Sequence, residues 1–386
     1  MLFFLSHPIQ YVSPLLRELA SNVKLQVYYY GGKEDLKYDK GFGQEVKWDI
    51  PLLEGYESAF LKNSSSSKSM STKFTDAINF DVFKVLRKAE SDIVIVNGWA
   101  YLSDWFVLVA AKLFGHKVWM RAEMPWNQEL MKPNLFKNRI KFWLFKHFVF
   151  KYFVDRFLCI GSQNKLYYLN HGVSENKLIF SPYAVENERF AAQISTDKFS
   201  YRQQYRISAD QFVILYSGKL IDKKRPLDLL RAFQLLENKN ALLFYLGDGP
   251  LRGKIEEEVK KRQIENVIIS GFINQSEIGQ IYNMSDVFVM CSGIGETWGL
   301  SVNEAMNFGL PVIVSDTCGS AHDLVMDGKN GFVFKEGDIS ELKTQLEELI
   351  NDKSLKESFG QQSSEKIKEY SHQITVQNIL GAMASI

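Results

Sequence analysis

Two carboxylates, Glu296 and Glu304, stand eight positions apart in the segment Gly293 to Pro311, G-I-G-E-T-W-G-L-S-V-N-E-A-M-N-F-G-L-P. Glu296 precedes a glycine-flanked turn entered through Thr297, and Glu304 falls on the first turns of a short helix, so the pair brackets one helix N-terminus. Between them Gly299, Leu300 and Ser301 carry backbone N–H groups with no intrahelical partner. Such a terminus takes an anion on the main chain without spending a side chain. A phosphate flanked by two hydroxyl-binding carboxylates is the chemistry of a sugar nucleotide.

The elements that would position this segment alternate strand and helix. Apolar runs predict strands at Phe212 to Ser217, Leu242 to Leu246, Val267 to Ser270, Asp286 to Cys291, Pro311 to Ser315 and Phe332 to Phe334, the pattern of a doubly wound parallel sheet. Ligand contacts in such sheets lie beyond the carboxyl ends of the strands. There the first strand is followed by Gly218-Lys219-Leu220-Ile221-Asp222-Lys223-Lys224-Arg225-Pro226. Lys219 and Lys224 can neutralise a diphosphate; a solvated basic loop is the alternative. Gly247-Asp248-Gly249 and Gly271-Phe272-Ile273 close the next two strands, and Asp248 and Ile273 are candidate contacts to a nucleotide base. Asp338 and Glu341 read as a helix start, structural rather than catalytic.

The first half repeats the alternation, with strands at Leu2 to Leu5, Lys24 to Tyr30, Asp92 to Asn97, Lys117 to Arg121, Arg156 to Gly161 and Lys177 to Ser181. The loop S-H-P-I-Q-Y after the first strand offers His7 to a donor phosphate or an acceptor hydroxyl, or merely shapes the turn with Pro8. Arg121 and Glu123, in R-A-E-M-P-W, fall just past another strand and are either sugar contacts or an internal ion pair. The run Asn63 to Ser71, N-S-S-S-S-K-S-M-S, reads as exposed loop, an acceptor-covering flap or plain surface. Residues 132–156 hold seven Lys or Arg and one acid, interleaved with eight aromatic rings. That stretch fits either a lipid interface or a helix packed on the sheet with its lysines reaching outward.

At 386 residues the chain is too long for one ordinary core. The expected domains are 1–205 on the acceptor side and 206–371 on the donor side, with a C-terminal helix at 372–386 able to pack back on the first. Hydrophobic residues at 46%, charged residues at 24% and a net charge of +1 exclude disordered and fibrous classes, and nothing global points to nucleic acid. Three dispersed cysteines, Cys159, Cys291 and Cys318, suit buried free thiols. The start M-L-F-F-L-S-H-P is too short an apolar run for a leader or a spanning helix. A cytoplasmic protein is expected, with peripheral contact at the inner membrane left open.

Taken together, G-K-L-x-x-x-K, G-D-G-P, G-F and E-T-W-G-L-S-V-N-E-A-M-N-F-G-L-P-V-I-V-S-D resemble the retaining GT-B glycosyltransferases of the GT4 type, glycosyl transferases group 1, across the whole second half. The resemblance implies two Rossmann-like domains facing across a cleft. It implies that Glu296 holds donor-sugar hydroxyls, Glu304 the nucleotide ribose, and Lys224 the phosphates. Lys219 stands where many relatives carry arginine, so a bidentate fork becomes a point charge. In the first half, S-H-P-I-Q-Y and P-Y-A-V-E-N-E-R-F are similar to a branch associated with bacterial surface polysaccharide synthesis, although the glycine-rich first loop of other relatives is absent.

The implied reaction moves a sugar, with retention, from a nucleotide sugar, UDP- or GDP-linked, to a saccharide or lipid-linked saccharide. No cofactor is implied beyond that co-substrate. No D-x-D triplet occurs in the chain, so transfer without a metal is expected. Two rivals stay open. An epimerase of the same architecture would turn over donor with no acceptor, and an idle scaffold would keep the fold without turnover.

Overall fold

The computed structural model describes residues 1–32, 38–39, 44–45, 48–66, 70, 73–133, 135–195 and 198–385. Among them the strands, in chain order, are β1 (Leu2–Leu5), β2 (Gln26–Tyr29), β3 (Tyr38–Asp39), β4 (Gln44–Glu45), β5 (Glu57–Phe60), β6 (Ile93–Val96), β7 (Lys117–Arg121), β8 (Arg156–Cys159), β9 (Leu178–Phe180), β10 (Phe212–Ser217), β11 (Ala241–Leu246), β12 (Val267–Gly271), β13 (Val287–Met290), β14 (Val312–Ser315) and β15 (Gly331–Phe334). They gather into a seven-stranded sheet, β5-β2-β1-β6-β7-β8-β9, a six-stranded sheet, β12-β11-β10-β13-β14-β15, and a two-stranded one, β3-β4.

Both large sheets are parallel. Parallel strands covered by helices on both faces have no polar side to present, which is why β1, β6 and β13 are continuous apolar runs, and β14 an apolar run ended by Ser315, all buried at every position. In register, Leu2 of β1 lies opposite Gln26 of β2 and Val94 of β6. The edge strand β5 was not anticipated, because E-S-A-F has no apolar run. It forms by pairing Phe60 with Tyr29 of β2, and its exposed Glu57 suits a sheet edge.

Contacts divide the chain into one unit of residues Met1–Tyr38, Pro51–Tyr183 and His372–Ile386, and a second of Asp39–Ile50 and Ala184–Ser371. In the first, helix His372–Met383 sends Val376 and Ile379 into the core shared with Leu15, Leu16 and Leu19 of helix Ser13–Ala20. Its Thr375 and Asn378 side chains donate to the carbonyls of Pro182 and Phe180. The division at Tyr183/Ala184 precedes the boundary expected at 205/206. The reason is that helices Asn187–Ala191 and Lys198–Gln204 are bound to the second unit: Arg189 donates to Gln275, and Arg202 to the Met284 carbonyl and the Asp286 carboxylate.

The second core closes on Leu229, Leu230, Leu342 and Leu346 from helices Pro226–Gln234 and Ile339–Asn351. Asp338 caps the latter by accepting from the Glu341 amide at 2.9 Å, the structural role expected of that pair. Cys159, Cys291 and Cys318 are buried free thiols. The run 63–71, read from sequence as loop or flap, lies partly outside the described residues.

Candidate active site

The site of the second unit is built from loops at the carboxyl ends of neighbouring strands. The loops after β10 and β11 meet backbone to backbone. The Leu220 amide donates to the Asp248 carbonyl at 2.8 Å, and the Leu251 amide to the Leu220 carbonyl at 3.0 Å. This close approach requires glycine: at Gly247, whose φ is +143°, a Cβ would lie 2.0 Å from the Gly218 oxygen.

The loop after β10 is laced in turn to the one after β13. The Gly293 amide donates to the Lys223 carbonyl at 2.7 Å, and Lys223 Nζ to the Gly295 carbonyl at 3.1 Å. That lacing brings Lys224 Nζ to 2.7 Å from Glu296 Oε2, with the two side chains only 15% and 12% exposed. Ser292 Oγ also reaches Glu296, at 3.4 Å. Gly218 leaves room for the lysine stem, since a Cβ there would stand 3.3 Å from Lys224 Cδ. Lys219, half-buried, accepts from the Tyr216 hydroxyl on its carbonyl at 2.9 Å.

Beyond Thr297, Gly299 adopts φ +96° and caps helix Leu300–Asn307, so the amides of Leu300 and Ser301 open that helix. The turn is pinned from behind. Trp298, buried, donates its indole N–H to Asn303 at 2.8 Å, and the Gly319 and Ser320 amides donate to the carbonyls of Glu296 and Trp298. Glu304, one turn further on, accepts from the Tyr282 hydroxyl at 2.7 Å. Tyr282 also accepts from Ser217, the last residue of β10. Gln275 bonds the same glutamate, held by two 2.8 Å donations from Arg189.

The two glutamates are electrostatically opposite. Burial works against charge on Glu296, but Lys224, then Lys223, together with hydrogen bonds from Lys224 and Ser292, hold its carboxyl below the usual range. Burial dominates at Glu304 and pushes it up, against the Tyr282 and Gln275 hydrogen bonds and the fields of Arg189 and Lys224. Glu296, depressed in the fold, contributes stability above its unfolded pKa that is lost as pH falls through the folded value. Glu304, raised, contributes stability below its unfolded pKa that is lost as pH rises through the folded one. Melting curves from about pH 3 to pH 7 should therefore diverge. Relative to wild type, Glu296→Gln loses stability as pH rises, whereas Glu304→Gln gains. Differences moving in the same direction would refute this electrostatic assignment.

Of the residues expected at the site, Gly218, Lys224, Glu296, Thr297, Gly299, Leu300 and Ser301 lie on loops tied to one another, and Glu304 is near enough to feel Lys224. Asp248 shapes its own loop, accepting from the Gly249 amide and from Arg252 at 3.0 Å. Ile273 is half-buried on the loop after β12. Trp48, from a segment counted with the second unit, meets Phe272 edge-to-face at 5.9 Å, and Asp49 accepts from the Ser276 amide at 3.1 Å.

His7, Arg121 and Glu123 belong to the first unit. His7 is half-buried with Nδ1 3.0 Å from Ser6 Oγ. Arg121 is interior, 2% exposed, with its guanidinium 4.3 Å over the Tyr183 ring, a longer 3.5 Å approach to Asn97, and a charge lowered in pKa by burial against the field of Glu123.

Arg189, Gln275, Tyr282 and Asn303 were not anticipated. Arg189 lies in a stretch that reads as linker, and the other three carry no spacing signal. A glycine-flanked acid with a strand-end lysine is visible in sequence; the side chains that orient them come from distant segments.

Residues 197–366 match the family described as glycosyl transferases group 1. The chain is 27% identical over 220 residues to the capsular polysaccharide biosynthesis glycosyltransferase CapM of Staphylococcus aureus, covering 56% of this chain and 54% of CapM. It is 31% identical over 161 residues to the sulfoquinovosyl transferase SQD2 of Arabidopsis thaliana, covering 41% and 30%. The chain thus spans about half or less of the length of these relatives. Among solved structures, Anabaena Alr3699/HepE in complex with UDP superposes with a TM-score of 0.74 at 18% identity, covering 100% of this chain and 99% of that one. That likeness shows the fold, two Rossmann-like domains of the GT-B type. The residues that match glycosyl transferases group 1, 197–366, contain the six-stranded sheet and both glutamates.

Proposed function

We propose that the protein moves a sugar from a nucleotide-sugar donor, UDP- or GDP-linked, to a saccharide or lipid-linked saccharide acceptor, with retention and without a metal, in the synthesis of a bacterial surface polysaccharide. The observation that carries this reading is the Lys224–Glu296 pair, 2.7 Å apart, beside the helix terminus at Gly299. The capsular name of one relative supports the polysaccharide role.

Transfer breaks the anomeric C–O bond to the diphosphate and forms one to an acceptor hydroxyl, whose proton passes to the departing phosphate oxygen. Positive charge develops at the anomeric carbon and negative charge on the leaving group, so groups fixed in advance around both lower the barrier. Lys219, Lys224 and the amides of Leu300 and Ser301 would meet the phosphates, and ionised Glu296 would hold the sugar hydroxyls. Glu304 would take the ribose. His7, Arg121 and Glu123 remain the acceptor-side proposal.

A thermal-shift screen of UDP-, GDP- and ADP-linked sugars tests the reading. Saturating donor at about 100 times its Kd should add about 2.7 kcal/mol of stability. Transfer should then persist in EDTA, and the product anomer should match the donor's. Stabilisation by no donor favours the idle scaffold, and turnover without acceptor favours the epimerase.

A further inference from the structure

Helix Phe136–Leu144 of the first unit contains no buried residue. Three of its large apolar side chains face water, Phe136 being 78% and Trp143 60% exposed, with Ile140 exposed between them, while Phe142 packs on His171 and Leu144 against the core. Their i, i+4, i+7 spacing stacks all three in one stripe along the helix.

The helix then passes through a π turn, Phe145–Val149. A π turn takes an extra residue per turn and rotates the side chains beyond it. Its effect is to divide an aromatic run that sequence alone leaves between two readings. Phe145, Val149 and Phe150 enter the core of the first sheet, while Phe148 and Tyr152 stay exposed and prolong the outer surface. The core ring of Phe150 packs on Phe157 and Tyr168, so this end of the stretch is anchored. The apolar stripe is therefore a fixed surface of a folded element.

Its charge is one-sided. Lys137, Arg139 and Lys141 flank the stripe on the helix, and Lys146 and Lys151 come after it. Over residues 132–156, seven cations and one carboxylate leave +6, in a chain whose total is +1. The single acid, Asp155, is occupied by Lys112 at 2.5 Å.

An exposed stripe of aromatic and aliphatic side chains needs an apolar cover, and a ring of positive charge around it needs anions at its rim. A bilayer surface of anionic phospholipid supplies both, with rings lying at headgroup level and lysine and arginine stems reaching the phosphates. A second copy of this chain would bring a like-charged face against it. We propose that this face, centred on Phe136, Ile140 and Trp143, docks the protein peripherally on an anionic membrane. Among the described residues no helix is long and apolar enough to cross a membrane, so the contact is with one leaflet. This inference is independent of the transferase reading.

Flotation of the full chain with phosphatidylglycerol–phosphatidylcholine vesicles, against phosphatidylcholine alone, tests it. Binding is expected only to the anionic vesicles and should fall with salt. Lys137→Ala with Arg139→Ala should weaken it roughly 30-fold, at about tenfold per 1.4 kcal/mol and about 1 kcal/mol per cation. Phe136→Ser with Trp143→Ser should weaken it roughly tenfold or more. These surface changes should leave the melting temperature unaltered, and Leu235→Ser, an exposed apolar position of the second unit, should bind vesicles as wild type does.

No binding by the folded wild type, equal binding to neutral vesicles, or unchanged binding by the Phe136/Trp143 variant would each overturn the proposal. So would light scattering in which that variant converts a dimer to a monomer while vesicles are ignored, because the face would then be a contact between copies. Sugar transfer is not measured at any step, so its absence would leave the result standing.

Discussion

Glu296→Gln is expected to lower sugar transfer roughly 10²–10³-fold, the cost of removing one preorganised electrostatic group from a transition state, while nucleoside diphosphate binding is kept or tightened. Glutamine preserves the shape and still accepts from Ser292. It removes a carboxylate that Lys224 holds ionised and that stands close to where the phosphates are proposed to lie. The lysine released from its 2.7 Å partner becomes more available to a ligand anion, so affinity and turnover should move apart. Initial rates at saturating donor, with Kd from calorimetry and a melting curve to confirm folding, make the comparison. Wild-type-like transfer would remove Glu296 from the site, and a parallel loss of binding and rate would make it a binding group only.

Lys224→Ala should act in the complementary way, weakening nucleoside diphosphate binding roughly 10- to 150-fold, the worth of one charge-assisted hydrogen bond. It should also change the pH profile. With Lys224 gone, burial acts on Glu296 against a weaker opposing field, and its pKa moves up. Residual transfer should then rise with pH over a range in which the wild type is already flat. Lys224→Arg keeps the charge but must fit beside Gly218, where the lysine stem already passes within close contact of the missing Cβ. It should restore the pH profile more fully than the rate. An unshifted profile in Lys224→Ala would show that the pair does not set the ionisation of Glu296.

The legible parts of the molecule are those written in contiguous residues. Runs such as I-V-I-V at 93–96 and V-I-V-S at 312–315 must be buried on both faces, and they became central parallel strands. Gly299 reads as part of a glycine-flanked turn before a short helix, and it caps that helix; its φ of +96° is what the structure adds. Edge strand β5 was not legible because its pairing with β2, rather than its own side chains, makes it a strand. The π turn at Phe145–Val149 was equally silent, since sequence spacing assumes an unbroken helical period.

The sequence by itself determined two alternating strand–helix halves, the acid pair Glu296 and Glu304 around one helix terminus, and lysines at a strand end. Each of these depends on local periodicity, capping and turn chemistry, which a linear chain displays. Only the tertiary structure decided that Lys224 pairs with Glu296, that Tyr282, Gln275 and Arg189 surround Glu304, that the unit boundary falls at Tyr183, and that the basic aromatic stretch splits between core and surface. Those outcomes join residues tens to more than a hundred positions apart, as with Arg189 and Glu304. They depend on which buried polar group can reach which partner once the sheet is assembled, a question of distance and burial that spacing along the chain does not encode.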